Sequence, residues 1–223
     1  MNTTSAVDSD RTVQKLVSDE LRWTAELNSA GVGVSVNRGA VTLSGEVATL
    51  RERIAAREAA LRVKGVSTVA DEMTVAAPDE HRTDTDVAAA VRTILLWNTL
   101  VPKDAIKATV RAGTVVLTGV VDWDYQRHAA ELAVSSLNGV RFVDNQINLT
   151  RHPSAPDTKE AIHNALVRNA ILDSRGIDVS VAGNEVTLTG EVSSWAEKKQ
   201  AGHAAWAAPH VTDVHNNLVV RPI

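Results

Sequence analysis

Cysteine is absent from the 223 residues. That excludes disulfides, thiolate metal ligands and cysteine nucleophiles, and leaves the redox compartment open. A basic excess is also missing: 23 Lys and Arg stand against 27 Asp and Glu, for a net charge of −4. Binding to nucleic acid by backbone charge needs a basic face that releases counterions, so no nucleic-acid partner is expected. No apolar run is long enough to span a bilayer. The stretch from Met1 to Asp10 has neither a basic n-region nor an apolar h-region, so the cytoplasm is the expected compartment. Nucleophile-elbow, P-loop and dinucleotide fingerprints are all missing. The acidic residues are scattered rather than paired, so neither catalysis nor a cofactor is expected. Phe and Tyr occur once each against five Trp, which makes tryptophan the aromatic to explain.

What is present is one phrase written three times. Val41-Thr-Leu-Ser-Gly45-Glu-Val47, Val115-Val-Leu-Thr-Gly119-Val-Val121 and Val186-Thr-Leu-Thr-Gly190-Glu-Val192 have their glycines 74 and 71 residues apart. The match extends without gaps for most of a domain, so each copy can be read against the others. Upstream, Val17, Val91 and Ile162 coincide, as do Leu21, Leu95 and Leu166, then Leu27, Val101 and Leu172. Steps of about four mark one face of an amphipathic helix. Alternating apolar residues follow, as in Val32-x-Val34-x-Val36, and read as a half-buried strand. Asn37-Arg-Gly39, Arg111-Ala-Gly113 and Ala182-Gly-Asn184 are hairpin turns.

Gly45, Gly119 and Gly190 fall on the inward face of the second hairpin strand. A side chain there would collide with a packed helix, or else the strand bulges. A second helix follows, with Ala56, Ala59 and Ala60 and their counterparts forming a small-residue face. Thr49-x-x-Glu52 and Ser194-x-x-Glu197 read as capping boxes. Repeat 2 has Trp123 at that position, so its cap is expected from Asp122 or Asp124. A last apolar strand closes each unit. The predicted fold class is therefore α+β: three tandem αββαβ domains, at residues 8–76, 84–150 and 157–221. Each is a three-stranded mixed sheet covered by two helices. Units this short bury little core alone and are expected to support one another.

The remaining side chains offer few sites. His203, His210 and His215 cluster in repeat 3, but none forms an i, i+4 pair on one helix, so no metal site is expected. Arg51, Arg53, Arg57 and Arg62 are interleaved with Glu52 and Glu58 and read as a solvated, ion-paired face. Trp23 and Trp97 share one position of helix 1, turned well away from the core leucines. Trp206 departs from the alanine face of its own helix. These three tryptophans are either covered by a domain or subunit contact, or form an exposed binding patch.

The phrase Val-x-Leu-x-Gly-x-Val, the alanine-rich helix, and then Gly65-Val66-Ser-Thr-Val69-Ala-Asp71, Gly139-Val140-Arg-Phe-Val143-Asp-Asn145 and His210-Val211-Thr-Asp-Val214-His-Asn216 together resemble the BON domain family. Within it the chain is similar to leaderless bacterial members with three such domains. The resemblance implies αββαβ units, no catalysis and stress-linked expression. For members with leaders it implies a periplasmic location, with phospholipid binding or assistance to folding; a relative fused to a different domain binds potassium. The leading expectation is a stress-associated, non-enzymatic binding or scaffold protein that holds a protein partner or client, or self-associates. A peripheral phospholipid binder and a potassium or small-ligand sensor are the alternatives.

Overall fold

A computed structural model describes residues 3–76, 83–151, 157–169 and 176–221. Leu172 and most of the two inter-repeat linkers lie outside the described residues. Repeat 1 comprises α1 (Thr3–Trp23), β1 (Val32–Asn37), β2 (Ala40–Val47), α2 (Leu50–Arg62) and β3 (Thr68–Val75). Repeat 2 comprises α3 (Asp84–Trp97), β4 (Ile106–Arg111), β5 (Thr114–Val121), α4 (Asp124–Ser135) and β6 (Phe142–Leu149). Repeat 3 comprises α5 (Thr158–Arg168), β7 (Ile177–Ala182), β8 (Glu185–Val192), α6 (Trp195–Trp206) and a closing strand split into β9 (Asp213–Asn216) and β10 (Val219–Val220).

The middle strand organises each sheet. β2 pairs antiparallel with β1 and parallel with β3, and β8 does the same with β7 and with β9 and β10. A closing strand that follows a helix can run parallel in this way. The alternation reads directly as burial. Val41, Leu43 and Val47 are buried in β2, as are Val115, Leu117 and Val121 in β5 and Val186, Leu188 and Val192 in β8. They meet Val17 and Leu21 of α1, Val91 of α3, and Ile162 and Leu166 of α5, all buried. Ala56, Ala59 and Ala60 are fully buried, because small side chains let α2 lie close on its sheet.

The marked glycines correct both sequence-based alternatives. The β1–β2 register ends on the pair Val32↔Gly45 without a skipped residue, and the β2–β3 ladder runs unbroken through Gly45↔Met73, so β2 carries no extra residue at the glycine. No helix lies over the glycine. Gly45, Gly119 and Gly190 have φ of +113°, +145° and +120°, and a Cβ on each would strike the backbone carbonyl of Gly31, Ala105 or Gly176, just before the paired strand. Positive φ together with an immovable backbone neighbour leaves only glycine.

The hairpin turns hold a surprise of the same kind. Arg38 (φ 51°) and Ala112 (φ 49°) adopt left-handed backbone beside Gly39 and Gly113. The Asp10 carboxylate accepts hydrogen bonds from the N–H groups of Arg38 (2.8 Å) and Gly39 (3.1 Å), and Asp84 accepts from Ala112 (2.7 Å) and Gly113 (3.1 Å). In repeats 1 and 2 the first helix thus pins its own hairpin. Repeat 3 has Ala155 at that sequence position, and its turn is Gly183-Asn184, with only Gly183 at positive φ.

The caps follow the expectation in part. Thr49 and Ser194 accept from the N–H of Glu52 and Glu197. The reach back differs from a capping box, however: Glu52 accepts from the Asn28 N–H, and Glu197 from the Ser193 N–H and the Ser194 hydroxyl. In repeat 2 the Asp124 carboxylate is taken up by Arg127, and the reach back to the start of α4 comes from Gln126. Gln126 Oε1 accepts from both the Asp122 and Trp123 N–H groups (3.0 and 3.1 Å).

A further tie joins the second helix to the closing strand at the same position in every repeat. Arg53 Nε donates to both oxygens of Asp71 (3.1 and 3.0 Å). Asn145 donates to the Arg127 carbonyl and to Glu131, and Asn216 donates to the Lys198 carbonyl. The chain divides into two compact units, Met1–Asn148 and Leu149–Ile223. Within the first, repeats 1 and 2 meet through α2 and α4.

Candidate functional site

Of the three tryptophans singled out from sequence, two are fully offered to solvent. Trp23 is 86% exposed at the end of α1, and Trp97 is 79% exposed at the end of α3. Trp206 does not join them: it is half-buried and packs against the core of repeat 3. Trp195, on the same helix, lies beneath the ammonium of Lys198, 5.4 Å from the ring centroid.

Topology gathers more apolar surface around Trp97. α3 ends at Trp97, and the chain then loops to the start of β4 at Ile106. Ile106 pairs with Gly119, so the start of β4 and the end of β5 lie at one end of the sheet. The β5–α4 turn therefore sits beside the loop that follows α3. Leu96 and Leu100 from the first segment, and Val120, Trp123 and Tyr125 from the second, are all exposed at this end. Together with Trp97 they make six large apolar side chains on one end of one small domain.

Among the described residues the other repeats carry only single members of this apolar set, Trp23 in repeat 1 and Val167 in repeat 3. The positions of Leu100 and Tyr125 are Glu26 and Arg51 in repeat 1, where they form an ion pair of 2.6 Å. That contact also establishes that the two positions are neighbours in the fold. Val120 corresponds to Glu46 and to Glu191, and Glu191 pairs with Arg221 at 2.8 Å. Both sister repeats place an ion pair at this end, although repeat 3 keeps the exposed Val167 where repeat 2 has Leu96; in repeat 2 all six positions are apolar. Scattered exposed hydrophobics need no explanation, but a contiguous patch marks an interaction site.

The rim is mixed in charge. Lys103, Asp104, Lys107 and Asp122 are all exposed around it, so no single sign dominates. The arginines of α2 behave as an ion-paired face, although their partners come from other elements. Arg51 meets Glu26, Arg53 meets Asp71 and Arg62 meets Glu20. Among the described residues no group of three or more His, Asp or Glu is placed to hold a metal ion. No helix among them is long and apolar enough to cross a membrane.

The family pattern described as BON domain matches residues 9–77, 83–151 and 154–222. The chain belongs to the BON-domain family. A relative in Escherichia coli (strain K12), osmotically-inducible protein Y, is 29% identical over 126 residues, which cover 54% of this chain and 63% of that protein. The match thus spans less than two thirds of the relative. Two structures of CdsD, a structural protein of the type III secretion system of Chlamydia trachomatis, align over 93% and 94% of this chain and over 96% and 92% of theirs. Both are 16% identical with a TM-score of 0.27, and a likeness at that level carries no argument.

Proposed function

We propose that this BON-domain chain is a non-enzymatic, stress-associated binding protein that holds a protein partner or client on the apolar end of repeat 2. The observation that carries the reading is the set of six exposed apolar side chains at that end, where the sister repeats carry ion pairs. Burying such a set gains about 25 cal/mol per Å² of apolar surface removed from water. Trp and Tyr at the centre of a patch are the side chains that most often dominate a protein interface. The name of the relative in Escherichia coli supports osmotic stress as the setting. The cytoplasm is the proposed compartment, and cell fractionation with the tagged full chain checks it.

Charge separates this reading from a phospholipid one. Adsorption to anionic lipid gains about 1 kcal/mol per basic residue near the surface, and the apolar end is rimmed by both signs on a chain of net charge −4. The test measures binding of the full chain to reduced, carboxymethylated lactalbumin, a permanently unfolded protein, beside flotation with phosphatidylglycerol vesicles. Trp97→Ser/Leu100→Ser should weaken the protein interaction at least tenfold, and Trp23→Ser should do much less. Flotation with vesicles in the absence of protein binding would replace this reading with the lipid one.

A further inference from the structure

The apolar end of repeat 2 adjoins a sheet edge that no strand pairs with among the described residues. β4 is an outer strand of its sheet, and its first residue, Ile106, lies at the apolar end. In repeat 1 the corresponding edge is partly closed: Gln14 on α1 donates its side-chain N–H to the Val34 carbonyl at 2.8 Å. That carbonyl therefore points away from β2. The equivalent pair in repeat 2 is Ala88 and Ala108, and alanine has no donor. Repeat 3 has Lys159 at this position, so repeat 2 alone lacks a side-chain donor there. Because backbone groups alternate along a strand, Ile106, Ala108 and Val110 present their N–H and C=O groups along the same open edge.

The outer face of β4 differs from its sisters as well. It carries Lys107 and Arg111, both exposed, where β1 has Gly33 and Asn37 and β7 has Asp178 and Ala182. Side chains of an added strand would lie next to these two cations.

We infer that the open edge of β4 takes an extended, partly acidic segment of an unfolded client by strand addition, and that the segment runs on over the apolar end. This rests on the proposed client-binding reading and specifies its mode. Main-chain hydrogen bonds supply affinity without regard to sequence, and alternate side chains supply preference. Apolar residues would meet Leu100 and Trp97, and acidic residues at alternate positions would face Lys107 and Arg111.

The deciding experiment again uses reduced, carboxymethylated lactalbumin, which is acidic, with the full chain. Ala88→Gln imports the edge cap of repeat 1 on an exposed helix position and should weaken binding about fivefold or more, the equivalent of one or more lost hydrogen bonds. Ala89→Gln, one position along the helix, should leave it unchanged. Hydrogen exchange should show protection of the Ile106, Ala108 and Val110 amides on binding, and the affinity should fall with salt. If Trp97→Ser/Leu100→Ser abolishes binding while Ala88→Gln and β4 exchange are silent, strand addition is wrong and the client reading stands. If the wild-type chain binds no unfolded protein, both fail. A concentration-dependent dimer abolished by Ala88→Gln would assign the edge to a second copy and overturn the proposal.

Discussion

Two glycines of repeat 3 allow the backbone argument to be tested on one domain. Gly183 and Gly190 are both exposed and both at positive φ, +63° and +120°. They differ in what a Cβ would meet. At Gly183 nothing lies within 4 Å, whereas at Gly190 the Gly176 carbonyl occupies the place. Alanine already stands at the position equivalent to Gly183 in repeat 2, as Ala112 at φ 49°. Gly183→Ala should therefore cost only the left-handed penalty of an L-residue, about 1–2 kcal/mol. Gly190→Ala carries strain of about 1–3 kcal/mol for its sparsely populated backbone. It must also push the Gly176 carbonyl aside and distort the start of the β7–β8 ladder, at about another 1 kcal/mol for hydrogen bonding lost there. At about 4–8 °C per kcal/mol for a domain of this size, Gly183→Ala should lower Tm by up to roughly 15 °C and Gly190→Ala by about twice as much. The half-buried Trp206 reports the unfolding of repeat 3 by fluorescence, while Trp23 and Trp97 are solvated before and after. Equal losses from the two substitutions would refute the carbonyl clash as the reason for the repeated glycine.

Other outcomes follow from the side-chain ties. Asp84→Ala should destabilise the β4–β5 hairpin by about 1–2 kcal/mol through two lost charge-assisted hydrogen bonds at an exposed site, seen as faster exchange of the Ala112 and Gly113 amides. Gln126→Ala should cost about 1 kcal/mol, as for loss of a helix cap, and Gln126→Glu, which keeps the acceptor oxygen, clearly less; urea midpoints of the two variants decide this. Arg53→Met should cost about 1 kcal/mol for a half-buried ion pair, and the loss should shrink at high salt in a denaturation series. A double-mutant cycle with Asp71→Asn isolates the pair.

The fold was legible because period 2 and period 3.6 patterns repeat three times, so an accident in one copy is exposed by the others. The steps from Val17 to Leu21 and from Val41 to Leu43 are buried where the periods put them. The glycine was found, but its cause was not, because strand periodicity says nothing of φ or of a neighbouring carbonyl. Asp10 and Asp84 share a repeat position and could have been noticed; their targets lie 28 and 29 residues away. The apolar end was half visible through Trp97. Leu100, Val120 and Tyr125 were missed because each looks ordinary within its own segment. Setting them against Glu26, Glu46 and Arg51 would have revealed the change in character. Trp206 was misleading, since a helical face inferred from alanines cannot show how far a large ring reaches back to the core.

The tie between second helix and closing strand also bears on how three similar domains avoid exchanging parts while they fold. β3, β6 and the β9–β10 segment are alike enough to enter one another's sheets, and neighbouring repeats on one chain are always close at hand. Their keys differ. Asp71 is matched to the Arg53 guanidinium, and Asn145 donates to the Glu131 carboxylate at 3.0 Å. Were β3 to occupy the slot of β6, the Asp71 carboxylate would face that of Glu131, and Arg127, which stands where Arg53 does, is already engaged by Asp124. Asn216 has its own allowance: the position that is Arg57 in repeat 1 and Glu131 in repeat 2 is Gly202, where even a Cβ would approach the Asn216 amide to 3.0 Å. A closing strand thus recognises its own helix by charge and by room, so the nascent chain sorts three near-copies without needing them to differ in pattern.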